Sequence, residues 1–187
     1  MRVEQTGLDG ALLFVPTPHR DDRGLFTRTF DAAVARAAGL DPNAFVQDSQ
    51  SRSRQGTIRG LHGRAGHGEA KLVRCARGAV HDVLVDARPG SPTFGKHIAV
   101  RLDDENFSHL YVPPGLLHGF QALTEQADVC YRIDREHDPG EDLAVRHDDP
   151  ELAIGWPLPV TAISGRDAAA GSWADLTRRL IPAAATD

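Results

Sequence analysis

The chain has 187 residues, 41% of them hydrophobic and 25% charged, with a formal net charge of −5. That length supplies one sizeable core and reads as a single domain over residues 1–187. No apolar run is long enough to cross a membrane, and the negative balance excludes a nucleic-acid partner held by broad phosphate neutralisation. A small phosphorylated ligand stays open, because a few converging arginines hold phosphate oxygens in bidentate pairs whatever the global charge. The first twenty residues carry Glu4 and Asp9 with only a short apolar run, a poor match to a signal peptide, so a cytoplasmic location is expected. Cys75 and Cys130 lack CxxC spacing and are expected to be buried free thiols.

In chain order, Ala11 to Val15 reads as a strand stopped by Pro16 and Pro18, and Leu25 to Phe30 as a second strand after a turn at Arg23 and Gly24. Asp31 to Leu40 reads as a short helix with Asp31 as N-cap and Gly39 at its C-terminal stop. From Phe45 to Leu123 short Val, Ile and Leu runs alternate with Gly and Pro, and no helix of crossover length intervenes. That pattern predicts an all-β double-sheet jelly roll with a few short peripheral helices. DPGED, near Asp138, reads as a mobile surface loop, and Ser172 to Ile181 as a closing helix with Asp175 in its capping box and Pro182 as the stop.

The chemistry concentrates in Arg59 to Gly78, RGLHGRAGHGEAKLVRCARG, which places His62, His67, Glu69 and Lys71 near one another. One reading is a metal site of the cupin type. Pro113, Gly115 and His118 match that type's second motif, and His62 and Glu69 fall near the spacing of the first. Arg64, however, stands where a second histidine ligand belongs, and a guanidinium offers no lone pair. No metal is therefore expected, and His67 and Glu69 fall back to loop residues near the mouth of the barrel. The other reading is an acid–base site.

DxRGLF at Asp21 to Phe26, VQDSQSRS from Val46, RGLH from Arg59, KLVRCARG from Lys71 and DVLVDARPGSPTFG from Asp82 run in order along the chain. PPGLLHGF from Pro113, CYR from Cys130, DDPELAIGWP from Asp148 and SGRD from Ser164 continue the series. Together these motifs resemble the dTDP-4-dehydrorhamnose 3,5-epimerase family, the RmlC-type enzymes of deoxysugar biosynthesis. The resemblance implies a cupin-like jelly-roll homodimer with no metal and no organic cofactor, acting on a nucleotide-diphosphate 4-keto-6-deoxy sugar. It also implies that His62 is the base, Asp167 the carboxylate that orients it, Tyr131 the acid on the opposite face and Lys71 the partner of the developing oxyanion. For the nucleotide it points to Arg23, Phe26, Gln47, Ser49, Arg59 and His118, with Arg23 coming from the partner subunit. Strand parity sets a condition on this assignment. Arg59 and His62 are three apart, so a regular strand points them to opposite faces; either Gly60 marks a bulge or the arginine reaches round.

The chain leaves the family pattern at Gly63 and Arg64, where an aromatic and a glutamine are usual, and at Arg28, Ser49, His81 and His137. These departures put the sugar and the number of inverted carbons in question, with Gly63 and Arg64 expected to write substrate preference. Two other functions compete: a metal-dependent cupin oxygenase or isomerase, and a catalytically silent sugar-nucleotide binder.

Overall fold

Short aliphatic runs broken by Gly and Pro pair edge to edge, because an isolated strand leaves its backbone groups and its apolar face uncovered. In the computed structural model, which describes residues 1–181, they assemble into two antiparallel sheets and a separate hairpin. Pro182, expected as the stop of the last helix, lies outside the described residues. β1 (Arg2–Gln5) and β2 (Leu12–Val15) come first, then β3 (His19–Asp21), β4 (Gly24–Phe26) and α1 (Ala32–Ala37). The body comprises β5 (Gln47–Arg54), β6 (Ile58–Arg64), β7 (Lys71–Arg77), β8 (Ala79–Asp86), β9 (His97–Asp103), β10 (His109–Val112), β11 (Leu116–Ala122) and β12 (Gln126–Ile133). β13 (Asp142–Ala144), α2 (Gly165–Ala168) and α3 (Trp173–Leu180) follow.

One sheet has the order β1-β2-β10-β7-β12-β5 and the other β13-β6-β11-β8-β9, while β3 and β4 pair only with each other. From β5 onward the chain passes from sheet to sheet at nearly every turn, which makes the fold the jelly roll that the sequence pattern predicts. Val73, Cys75, Leu110 and Val129 of the first sheet meet Val80, Leu84 and Phe120 of the second in the central core. Trp173 and Leu176 of α3 cover the outer face of the second sheet over Leu61, Val83, Val85 and Leu117. β8 is thus apolar on both sides, which explains why VLV interrupts its alternation. α1, capped by the Asp31 side chain on the N–H groups of Ala33 and Val34, packs over Leu12, Phe14 and Leu72 on the outer face of the first sheet.

Several expected elements change. The second strand stops at Phe26, and Phe30 instead packs edge-on against Phe45 under the Arg132 guanidinium. DPGED forms a 3-10 turn capped by Asp138, and its last residue starts β13. Cys75 is a buried free thiol, pushed up to about 12 by burial, whereas Cys130 is free but only half-buried.

Candidate active site

At one end of the sandwich the inner faces turn from apolar to polar and enclose a cavity of about 620 Å³. Its second-sheet wall carries Arg59 and His62 from β6 and His118 from β11; its first-sheet wall carries Lys71 from β7 and Tyr131 from β12. Gly60 makes that wall possible. His118 pairs with His62 and Phe120 with Arg59, so two residues of β6 bulge against one of β11, and Arg59 and His62 face the cavity together. Gly60 has φ +116°, and a Cβ there would lie 2.5 Å from Gly119 Cα, so only glycine fits.

Asp167 reaches His62 across 105 positions through a local device. The Ile58 N–H donates to Ala162 O at 3.0 Å, pinning the segment after it along β6. Ser164 then caps α2 by accepting from the Asp167 N–H at 3.0 Å, which turns the carboxylate, 4% exposed, toward the strand. One oxygen lies 2.7 Å from His62 Nε2 and the other accepts from the Gly60 N–H at 3.2 Å. The half-buried His62 ring is therefore held at one nitrogen, and the other has no hydrogen-bond partner among the described residues. Tyr131 enters from the opposite sheet, its hydroxyl 3.1 Å from Ser51 Oγ. Burial pushes its phenol well above the ordinary tyrosine range, the Ser51 bond opposing it, so this side chain stays protonated at neutral pH.

His118 is 5% exposed, with Nε2 2.9 Å from both oxygens of the fully buried Asp82 and its ring edge-on to Tyr131. It forms the floor of the cavity. Arg59 stands on the wall with Nε donating to Ser53 Oγ at 3.0 Å. Gln47 and Ser49, on the edge strand β5, share the cross-strand rows of Ile133 and Tyr131 but do not line the cavity itself. Arg23 and Phe26 are not brought to it at all. They sit on the β3–β4 hairpin, where Phe26 is 71% exposed and Arg23 pairs with Asp21 at 2.6 Å.

The two residues after His62 depart from the expectation. Gly63 points away from the cavity, its Cβ direction meeting Leu117 on the outer face, so it cannot contact a ligand there. Arg64 faces inward but is 6% exposed and occupied: Nη1 donates to Asp138 O at 2.9 Å and Nη2 lies 3.1 Å from His137 Nδ1. Glu69 does lie in a loop, between β6 and β7, but its side chain is paired and shielded from solvent. Its carboxylate, 8% exposed, sits 2.7 Å from Lys71 Nζ and 2.9 Å from Arg64 Nε. The Arg64 contact is an ion pair too oblique to count as a hydrogen bond, and both atoms lack one otherwise. Sequence reasoning also missed Ser51, Asp82 and Arg166. Each stands in one of the family motifs, and the serine also lies two positions from Ser49 on the same face of β5. Among the described residues no three His, Cys, Asp or Glu side chains gather in a metal-holding group. The donors fit a metal poorly, since His62 and His118 are each tied to a carboxylate and Arg64 adds positive charge.

The family model for dTDP-4-dehydrorhamnose 3,5-epimerase matches residues 5–175. A dTDP-4-dehydrorhamnose 3,5-epimerase of Methanothermobacter thermautotrophicus is 41% identical over 157 residues, 84% of each chain. Among solved structures, NovW, a 4-keto-6-deoxy sugar epimerase from the novobiocin biosynthetic gene cluster of Streptomyces spheroides, superposes with TM-score 0.92 at 38% identity, covering 97% of this chain and 92% of that one. The dTDP-6-deoxy-D-glucose-3,5-epimerase of Legionella pneumophila, in complex with dTDP-4-keto-L-rhamnose, gives TM-score 0.89 at 37% identity and 97% coverage of both chains.

Proposed function

The chain belongs to the dTDP-4-dehydrorhamnose 3,5-epimerase family and is an isomerase of dTDP-keto sugars in deoxysugar biosynthesis; we propose that it inverts a carbon beside the 4-keto group by proton transfer between the two walls of the cavity. The observation that carries this reading is the His62–Asp167 pair on one wall with Tyr131 and Lys71 on the other. A hydrogen on carbon 3 or carbon 5 is acidified by the adjacent ketone, so a base within reach removes it once the enolate oxygen is stabilised. The free nitrogen of His62 takes that proton while Asp167 supports the imidazolium. The electron pair moves onto the ketone oxygen, where the Lys71 ammonium meets the charge. Tyr131 then delivers its proton from the opposite wall, and the returning C–H bond has inverted configuration.

The single domain acts as a homodimer. In support, the hairpin bearing Arg23 and Phe26 belongs to neither main sheet and exposes its aromatic residue, an arrangement suited to completing the nucleotide end of a second copy's cavity. Arg59 and His118, with Gln47 and Ser49 at the rim, complete the nucleotide site from within the chain. Among the described residues no helix is long and apolar enough to cross a membrane. The unpaired thiols Cys75 and Cys130 suit a reducing, cytoplasmic setting.

The test is incubation with dTDP-4-keto-6-deoxyglucose in deuterated water, followed by NMR. Deuterium entering carbon 3, carbon 5 or both with inversion is the expected result and reports regiochemistry directly. His62→Ala should slow exchange by about 10²- to 10⁴-fold, the usual contribution of a positioned base. Tight dTDP binding without exchange at either carbon would leave a silent binder in place of an enzyme.

A further inference from the structure

Lys71 is not free in the cavity wall. Its ammonium, 13% exposed, lies 2.7 Å from Glu69 Oε1, and the other Glu69 oxygen lies 2.9 Å from the guanidinium of Arg64, 5% exposed. Arg64 is in turn fixed to the segment between β12 and β13 through Asp138 O and His137 Nδ1, with Asp142 at 3.8 Å. Asp142 holds Arg166 of the cavity lining at 2.6 Å. The Glu69 loop is pinned to the same segment from behind: the Ala70 N–H donates to Asp134 Oδ1 at 2.8 Å, and Arg135 Nη1 to Gly68 O at 2.8 Å. One buried carboxylate thus stands between two buried cations, in a frame that touches the ligand cavity only through Lys71 and Arg166.

We infer that Glu69 is a positioning residue, holding the Lys71 ammonium on the cavity wall with Arg64 as the counter-cation that lets the carboxylate stay buried. The Glu69 oxygen 2.7 Å from Nζ fixes by charge where the ammonium sits, so Lys71 meets the enolate without reorganising. Neutralising Glu69 leaves Lys71 and Arg64 as buried like charges with nothing between them, and the flexible lysine is the one able to swing away. Removing both Glu69 and Arg64 charges together relieves that repulsion, and a glutamine at 69 keeps a carbonyl dipole beside the Lys71 ammonium. Rescue by the second substitution is therefore the signature that separates positioning from simple loss of fold.

This inference rests on the proposed role of Lys71, so one readout must be independent of turnover. The chain has only two lysines, Lys71 and the exposed Lys96, so selective lysine side-chain labelling gives two NMR signals, assigned with Lys96→Arg. In the parent, the Lys71 signal should be shifted and motionally restricted; in Glu69→Gln it should move toward that of a free lysine. In the double variant Arg64→Gln/Glu69→Gln it should return toward the parent. With dTDP-4-keto-6-deoxyglucose, Glu69→Gln should lower kcat by at least about tenfold, the scale of losing one oriented oxyanion donor. KM should change by about twofold or less, because the interaction gained is at the transition state. The double variant should recover most of the lost kcat. An unchanged Lys71 signal in Glu69→Gln overturns the inference, as does a double variant that is folded but no better than the single one. A parent that binds dTDP without turnover, yet shows the Lys71 signal responding as described, would overturn the epimerase reading and leave Glu69 as the group that positions the lysine.

Discussion

Tyr131 and His62 differ in what their surroundings do to a proton. The imidazole keeps one nitrogen on Asp167 and the other open to the cavity, while burial holds the Tyr131 phenol in its neutral form against the pull of Ser51. The phenol therefore carries its proton at neutral pH, and under the proposed mechanism its removal should block inversion and spare abstraction. Tyr131→Phe is therefore expected to lower formation of the inverted sugar by about 10²- to 10⁴-fold while solvent deuterium still enters with retained configuration, returned by His62. NMR of the recovered sugar separates the two outcomes, and inversion at the parental rate would remove Tyr131 from the reaction. His62, Lys71, Tyr131 and Asp167 came from the family resemblance, and the fold brings the four to one cavity, with the 105 positions between His62 and Asp167 closed by folding alone. Glu69 was not legible in the sequence, since a carboxylate between Gly68 and Ala70 looks like a solvated turn until folding brings Arg64 and Lys71 against it. Asp82 was hidden for a similar reason: its partner His118 lies 36 residues away on the neighbouring strand.

At the scale of elements, β7, β8 and β10 could be drawn from their aliphatic runs, because both their faces or one full face are buried and the pattern is strong. β13 could not, since three residues carry no period; only its pairing with β6 makes Asp142–Ala144 a strand. The bulge in β6 lies between these cases. Parity left two answers, a bulge at Gly60 or an arginine that reaches round, and the geometry that decides for the bulge, a backbone pressed against Gly119 and His118 of β11, exists only in the fold. A methyl group at position 60 would lie 2.5 Å from Gly119 Cα and 2.7 Å from His118 O, and neither backbone atom belongs to a side chain that could turn aside. It would also sit at φ +116° and disturb the N–H that holds Asp167. Gly60→Ala should cost about 2–4 kcal/mol in urea denaturation, combining strain and overpacking. In whatever fraction remains folded, kcat should fall because Arg59 and His62 no longer share a face. A variant with parental stability and parental kcat would show that β6 reaches the cavity without the bulge.

Over the whole molecule the cavity gathers every side chain of the proposed proton transfers but not all of those proposed for the nucleotide. Two of the six residues that the family motifs assign to the nucleotide, Arg23 and Phe26, point into solvent from a hairpin that joins neither main sheet. Phe26, 71% exposed on a three-residue strand, is an aromatic face open to a second copy. If the hairpin crosses to a second copy, each active site draws His62 from one subunit and Arg23 from the other. The homodimers His62→Ala and Arg23→Ala should then both be impaired, the first in kcat and the second mainly in KM for the sugar nucleotide. Co-expressing the two variants with different affinity tags and isolating the doubly tagged dimer gives one site with both defects and one with neither. That heterodimer should show about half the parental activity per dimer, at the parental KM, because a closed twofold assembly has two equivalent sites. If Arg23 instead served its own chain's cavity, every site in the heterodimer would carry one defect and no recovery would occur. A chain that elutes as a monomer at all working concentrations would rule out the exchange itself.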